Sequence, residues 1–126
     1  MINREIIEKC MLNKDYNTLV LNASEEFYDF LNHHHVNYDT DINNDSYDLL
    51  LIFGIDNGEL MQITSLYIDF LTETGSIWLA YPKRDSKKYD GITCNYDTVS
   101  LLLTDYNLSP REQVEIDENY IALKFN

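Results

Sequence analysis

The chain has 126 residues, a hydrophobic fraction of 44%, a charged fraction of 25% and a formal net charge of −13. That length suits a single domain, which buries roughly two-thirds of the surface of its unfolded chain and needs neither disulfide nor metal to form a core. The composition excludes chain-wide disorder, no apolar run is long enough to span a bilayer, and the acidity argues against nucleic acid or an anionic membrane as partner, since phosphate repulsion acts over about 8 Å at physiological salt.

Ile2, Ile6, Ile7, Cys10 and Met11 share one side of a predicted helix. The alternation of charge with apolar residues in this stretch is unlike a signal peptide, so a cytoplasmic, soluble protein is expected. Within Asn17–Asn22 the chain reads Thr-Leu-Val-Leu, a short apolar run suited to a buried strand. Ser24 is placed to cap the next helix, with Glu25 and Glu26 in the first turn, where the dipole favours acids. Phe27, Phe30 and Leu31 give that helix its apolar face, and His33, His34 and His35 close it. Residues 37–47 are polar and loop-like, with a short strand expected near Val36–Tyr38.

Leu49–Phe53 is a continuous apolar run before Gly54, the pattern of a strand covered on both faces. Asp56 and Glu59 form an Asp-x-x-Glu pattern resembling a capping box. Leu60, Ile63, Tyr67, Phe70 and Leu71 supply the following helical face, which Gly75 is expected to end. Ile77–Tyr81 is the next buried strand, stopped by Pro82. A basic loop, 83–92, leads to a helix from about Thr93 with Val99, Leu102, Leu103 and Tyr106 on one side, broken at Ser109-Pro110. Val114 and Ile116, then Ile121, Leu123 and Phe125, alternate with polar residues around a turn at 117–119, which reads as an antiparallel hairpin. Strand–helix alternation followed by a hairpin predicts an α/β fold: a mostly parallel open sheet with helices on both faces.

The charge layout is one-sided. Twelve acidic residues lie between Asp15 and Glu73, and no Lys or Arg occurs between Lys14 and Lys83. Lys83, Arg84, Lys87 and Lys88 then fall within six positions. The acidic excess serves solubility or forms a face that meets a basic protein partner.

The string Ile77-Trp78-Leu79-Ala80-Tyr81-Pro82-Lys83, with the Asp48–Phe53 strand, Ile92-Thr93 and the Tyr120–Phe125 strand, resembles a family of small uncharacterised bacterial proteins. In that family a W-x-A-[YW]-P-K strand follows a D-x-x-L-L-F strand and a helix, and a Thr-rich helix start precedes a closing hairpin. The resemblance covers roughly residues 11–126 and implies a reduced methyltransferase-like (Rossmann-like) domain with no established activity. This chain departs from the pattern in its longer basic loop after Lys83 and in Gly91-Ile92-Thr93, where Asp-Leu-Thr is usual. Only about ten residues separate the second expected strand from the third, too few for a further helix–strand unit, so part of a full methyltransferase sheet is missing.

A working S-adenosylmethionine site needs a glycine-rich turn after the first strand, so that the backbone can approach the cofactor. The turn here is Asn22-Ala23-Ser24-Glu25, without glycine, and no cofactor is expected. Such a site also needs an acid after the second strand to hold a ribose; Asp39 or Asp41 could serve, though an acidic loop offers such residues by chance. Adjacent helical histidines splay by about 100°, so His33–His35 reads as a polar helix end rather than a metal site. The Asp39–Asp45 run begins like a calcium loop, but its sixth position is Asn44 and its twelfth Leu50. Cys10 and Cys94 form no Cys-x-x-Cys pair, and neither they nor Ser24, Ser65 or Ser76 sit in a nucleophile motif. The best polar candidates lie at the expected carboxyl edge of the strands, where open sheets bind ligands: Ser24, Asp56, Lys83 and Arg84. The sequence therefore favours a non-enzymatic interaction or regulatory domain over a ligand binder or enzyme using those four residues.

Overall fold

A computed structural model describes residues 1–86 and 91–126. Lys87 and Lys88 of the basic loop lie outside the described residues.

In chain order the elements are α1 (Ile6–Lys9), β1 (Thr18–Leu21), α2 (Glu25–His33), β2 (Tyr47–Phe53), α3 (Asn57–Tyr67), β3 (Leu71–Pro82), α4 (Tyr96–Val99), β4 (Pro110–Glu115) and β5 (Tyr120–Phe125). They form a five-stranded sheet in the order β1-β2-β3-β5-β4. The first three strands are parallel, and β5 then pairs antiparallel with both β3 and β4. The α/β class, the parallel start and the closing hairpin are as the sequence predicts.

Register explains the two cores. Val20, Leu51, Trp78 and Lys124 are successive partners across four strands, as are Leu19, Leu50, Ile77 and Phe125. Because strand side chains alternate, these neighbouring rows face opposite ways. The first row packs with Ile6 of α1 and with Phe27 and Leu31 of α2. The second packs with Leu60 of α3, Val99 of α4 and Leu103.

The placement of α2 opposite α3 follows from a contact at the sheet edge. Right-handed crossovers stepping from β1 to β2 and from β2 to β3 would put both helices on one face. Instead, after α2 the chain crosses to the free edge of β1. There Asp39 donates its N–H to the Thr18 carbonyl at 2.8 Å, and its carbonyl accepts from Val20 N at 2.9 Å. The chain thus leaves β1 in one lateral direction and β2 in the other. The strand expected near Val36–Tyr38 is this single parallel bridge.

Three sequence expectations are corrected. Gly75 does not end a helix. Helix α3 stops at Tyr67, a 3₁₀ turn covers Ile68–Phe70, and Leu71 begins the long strand β3. Gly75 lies where the β2–β3 register shifts, and a Cβ there would come within 2.9 Å of the Asp48 carbonyl. The glycine is needed for close approach of two strands. The first helix is only four residues long. The helix expected from Thr93 starts instead behind Asn95, whose side chain accepts from Thr98 N at 2.9 Å, and ends at Val99; Tyr106 falls in a separate 3₁₀ turn. Among the described residues no helix is long and apolar enough to cross a membrane.

Candidate functional site

The strand order reverses direction between β1 and β2, and open α/β sheets bind ligands outside the carboxyl ends of their strands at such a point. A shallow crevice of about 270 Å³ lies there, walled by the Asn22–Ser24 turn, the Phe53–Ile55 turn, Glu59 and Tyr120.

Its polar groups are occupied by the chain itself. Asn22 has φ 63°, in the left-handed region where glycine is the default and asparagine is tolerated. This conformation goes with an amide that bridges the strand ends, donating to the Phe53 carbonyl at 2.9 Å and to Glu59 Oε1 at 3.1 Å. The same Glu59 oxygen accepts from Ile55 N at 3.0 Å. On the β1 side, Ala23 N donates to the Tyr28 hydroxyl at 3.3 Å, and that hydroxyl donates to the Val20 carbonyl at 3.1 Å. Burial raises the Tyr28 hydroxyl above its ordinary pKa, against the lowering effect of the Ala23 N–H, so it stays protonated and able to donate.

The sequence candidates do not share this crevice. Ser24 lines it, but its Oγ accepts from Phe27 N at 3.1 Å as the cap of α2. Asp56 is exposed and caps α3, accepting from Glu59 N at 2.8 Å. The expected capping box is only half formed, because the Glu59 carboxylate turns to Ile55 N and Asn22. Lys83 pairs with Glu115 of β4 at 2.9 Å, and its N–H donates to the Asn119 carbonyl at 2.8 Å, so it is tied to the hairpin. Arg84 is exposed. All four follow strand ends at the carboxyl edge, yet only Ser24 lines the crevice.

Asn22, Tyr28 and Glu59 are the residues that sequence reasoning missed. An asparagine directly after a buried strand is a signal for a left-handed turn. The partners of Tyr28 and Glu59 depend on β1 and β2 lying side by side, which no local pattern shows.

Other constellations are also used internally. Asp39 Oδ2 accepts from the Tyr47 hydroxyl at 2.6 Å and from Asn44 Nδ2 at 3.1 Å, so this acid braces its own loop. The His34 ring packs on Phe30 with centroids 4.5 Å apart, and His33 meets His34 edge-on. Cys94 is buried beside the Ile55 carbonyl, with Sγ 3.7 Å from the oxygen, and burial, aided by the Asp56 charge, pushes its thiol up to about 11. A thiol held neutral is a poor nucleophile. No group of three His, Cys, Asp or Glu among the described residues is placed to hold a metal ion.

Solved structures share this architecture. The methyltransferase CcbJ from Streptomyces caelestis superposes with a TM-score of 0.63 at 7% identity, over 99% of this chain and 90% of that one. The N-methyltransferase NodS from Bradyrhizobium japonicum gives 0.58 at 10% identity, over 96% and 91%. A protein of the NADB-Rossmann superfamily from Streptococcus agalactiae gives 0.60 at 13% identity, over 100% and 68%. No protein-family model and no curated protein matches the sequence. The fold is methyltransferase-like and Rossmann-like.

That fold implies S-adenosylmethionine, and the residues present do not fit it. A nucleotide-type ligand at a switch point needs free N–H donors and a helix N-terminus open to it. Here the N–H groups of Ala23 and Ile55 are already satisfied, the Asn22 amide spans the crevice, and α2 opens with Glu25 and Glu26.

Proposed function

We propose that this chain is a non-enzymatic interaction domain built on a reduced methyltransferase-like fold, and that it presents an acidic surface to a basic protein partner. We place it with the small bacterial proteins that its Trp78–Lys83 string resembles. The carrying observation is the internal hydrogen bonding at the crevice: Asn22, Glu59 and Tyr28 satisfy groups a cofactor would use.

The charge layout supports the partner. Of the twelve acids from Asp15 to Glu73, only Asp39, Asp48 and Glu59 are even half-buried, and each of those accepts a hydrogen bond from the chain. The others are exposed. Among the described residues none of the twelve takes part in an ion pair; the four pairs present use Glu5, Glu112, Glu115 and Glu118. An uncompensated field of one sign steers partners of the opposite sign.

Calorimetric titration of the full chain with S-adenosylmethionine tests the reading. No binding is expected; saturable micromolar binding would overturn it and move the function to the carboxyl-edge crevice.

A further inference from the structure

A second cavity, of about 260 Å³, lies at the opposite edge of the sheet, where β2 and the parallel part of β3 begin and β5 ends. Its wall combines Leu49 and Trp78 with Ser76, Lys9 and Lys124, and the end of α1 closes one side. It is distinct from the carboxyl-edge crevice and shares no residue with it.

Lys124 is the unusual member. It is the β5 partner of Trp78 and has the same strand parity as Ala122, so it projects onto a face that is otherwise apolar core. Its side chain is only 14% exposed. Its ammonium reaches Glu112 Oε1 at 3.5 Å, longer than the roughly 2.7–2.9 Å of a charge-assisted hydrogen bond. The Lys124 stem is largely covered and its ammonium has, among the described residues, one long ion-pair contact, so an anion entering the cavity adds a second partner for that charge.

Lys9 adds a second ammonium on the α1 side, 3.4 Å from Glu5 and half exposed. Cys10 lines the same cavity as the two lysines. Burial, with a smaller contribution from Glu112, raises its thiol to about 12 against the opposing charges of Lys124 and Lys9. The thiol is a neutral wall. Asp48 also lines the cavity, but its Oδ2 already accepts from Asn17 N at 3.0 Å.

We propose that this cavity binds a small organic acid, its carboxylate meeting Lys124 and Lys9 and its apolar body lying on Met11 and Tyr16, the exposed apolar residues of the wall, above the buried Trp78. The volume is below the roughly 300–1,000 Å³ of pockets for drug-sized ligands, which limits the ligand to a small ring or short chain. The proposal is independent of the acidic-surface reading, since neither lysine belongs to that surface.

Trp78 is the chain's single tryptophan and lines the cavity, so intrinsic fluorescence reports occupancy directly. The full chain is titrated with cyclohexanecarboxylate, and in parallel with cyclohexylamine and inorganic phosphate. A saturable change is expected with the carboxylate alone. Lys124→Met should weaken it about tenfold or more, as expected for loss of a charged hydrogen bond. Lys9→Met should weaken it less, and Lys83→Met, at the other edge, should leave it unchanged. Should Lys124→Met fail to fold, the Lys9→Met variant decides, because its side chain is half in solvent. Absence of saturation with the carboxylate overturns the proposal, as does unchanged affinity in the lysine variants that fold. Equal binding of the amine would assign the cavity to Asp48, and equal binding of phosphate would remove the role of the apolar wall; either overturns the assignment.

Discussion

Asn22 and Glu59, one after β1 and one in α3, meet across the switch point with the asparagine amide 3.1 Å from Glu59 Oε1. That contact ties the turn after β1 to the first turn of α3, while the same amide donates to the Phe53 carbonyl at the end of β2. It also holds a non-glycine residue at φ 63°.

Two variants separate the backbone contribution from the side-chain one. Asn22→Gly keeps the turn and loses the amide, at a cost of about 0.5–1.5 kcal/mol. Asn22→Ala loses the amide and adds the left-handed penalty, so it should cost about 1 kcal/mol more than the glycine variant. Urea unfolding measures both. Equal losses would show that the backbone conformation at Asn22 imposes no penalty on alanine.

Trp78 tests the core. It is 1% exposed and lies between Leu51 and Lys124 in its sheet row. Trp78→Ala should lose roughly 3–5 kcal/mol, a large share of the stability of a small domain. A variant melting within a degree or two of the parent would show that the ring is dispensable. Trp78→Phe, which keeps much of the apolar volume, should fall between the two.

The buried thiols make stability depend on pH on the alkaline side. From an ordinary value of 9.0, burial raises Cys10 to about 12 and Cys94 to about 11 in the folded chain. A raised pKa means the folded state holds its proton longer than the unfolded state does. The stabilisation is therefore complete below about pH 9 and is lost as pH rises through 9 toward 11 and 12. Tyr81, raised by burial from 10.0 to about 12, acts in the same direction at higher pH. Urea midpoints measured from pH 8 to 10.5 should fall, and more gently for Cys10→Ala than for the parent. Parallel curves would remove Cys10 as a contributor.

Much of the fold is legible because the signals are local. Leu49–Phe53 and Ile77–Tyr81 are continuous apolar runs, Ser24 is a helix cap beside two acids, and the alternation around 117–119 marks a hairpin. Gly75 misled because a glycine after a helical pattern reads as a stop, whereas here it serves the close passage of β2 past β3. The Asp39 bridge is a single pair of backbone hydrogen bonds with no side-chain pattern, yet it marks the sheet edge to which the chain crosses after α2. A crevice lies at the carboxyl edge, but of the four sequence candidates only Ser24 lines it, and the groups that fill it are not legible in the sequence. Asn22, Tyr28 and Glu59 are brought together by strands 31 residues apart in sequence at the Asn22–Phe53 contact. The four sequence candidates have suitable chemistry and chain position, but three of them already serve as caps or an ion pair.

The acidic surface yields the last prediction. Asp41 and Asp45 are exposed on the loop before β2 and, among the described residues, pair with no cation. If this surface steers a basic partner, association should slow as salt shortens the screening length from about 10 Å at 0.1 M to about 3 Å at 1 M. Reversing both residues, Asp41→Lys with Asp45→Lys, should slow association further at low salt and narrow the gap between low and high salt. Folding should survive, because exposed loop charges contribute little to stability. Lys83→Glu with Arg84→Glu should leave the rate unchanged or raise it, since the chain becomes more acidic. Stopped-flow rates with a partner captured from the native cell decide between the readings. Rates indifferent both to salt and to the Asp41/Asp45 reversal would leave the acidic excess as a solubility device. Loss of binding confined to the Lys83/Arg84 variant would transfer recognition to the cations beyond β3, and the acidic-surface reading would fall.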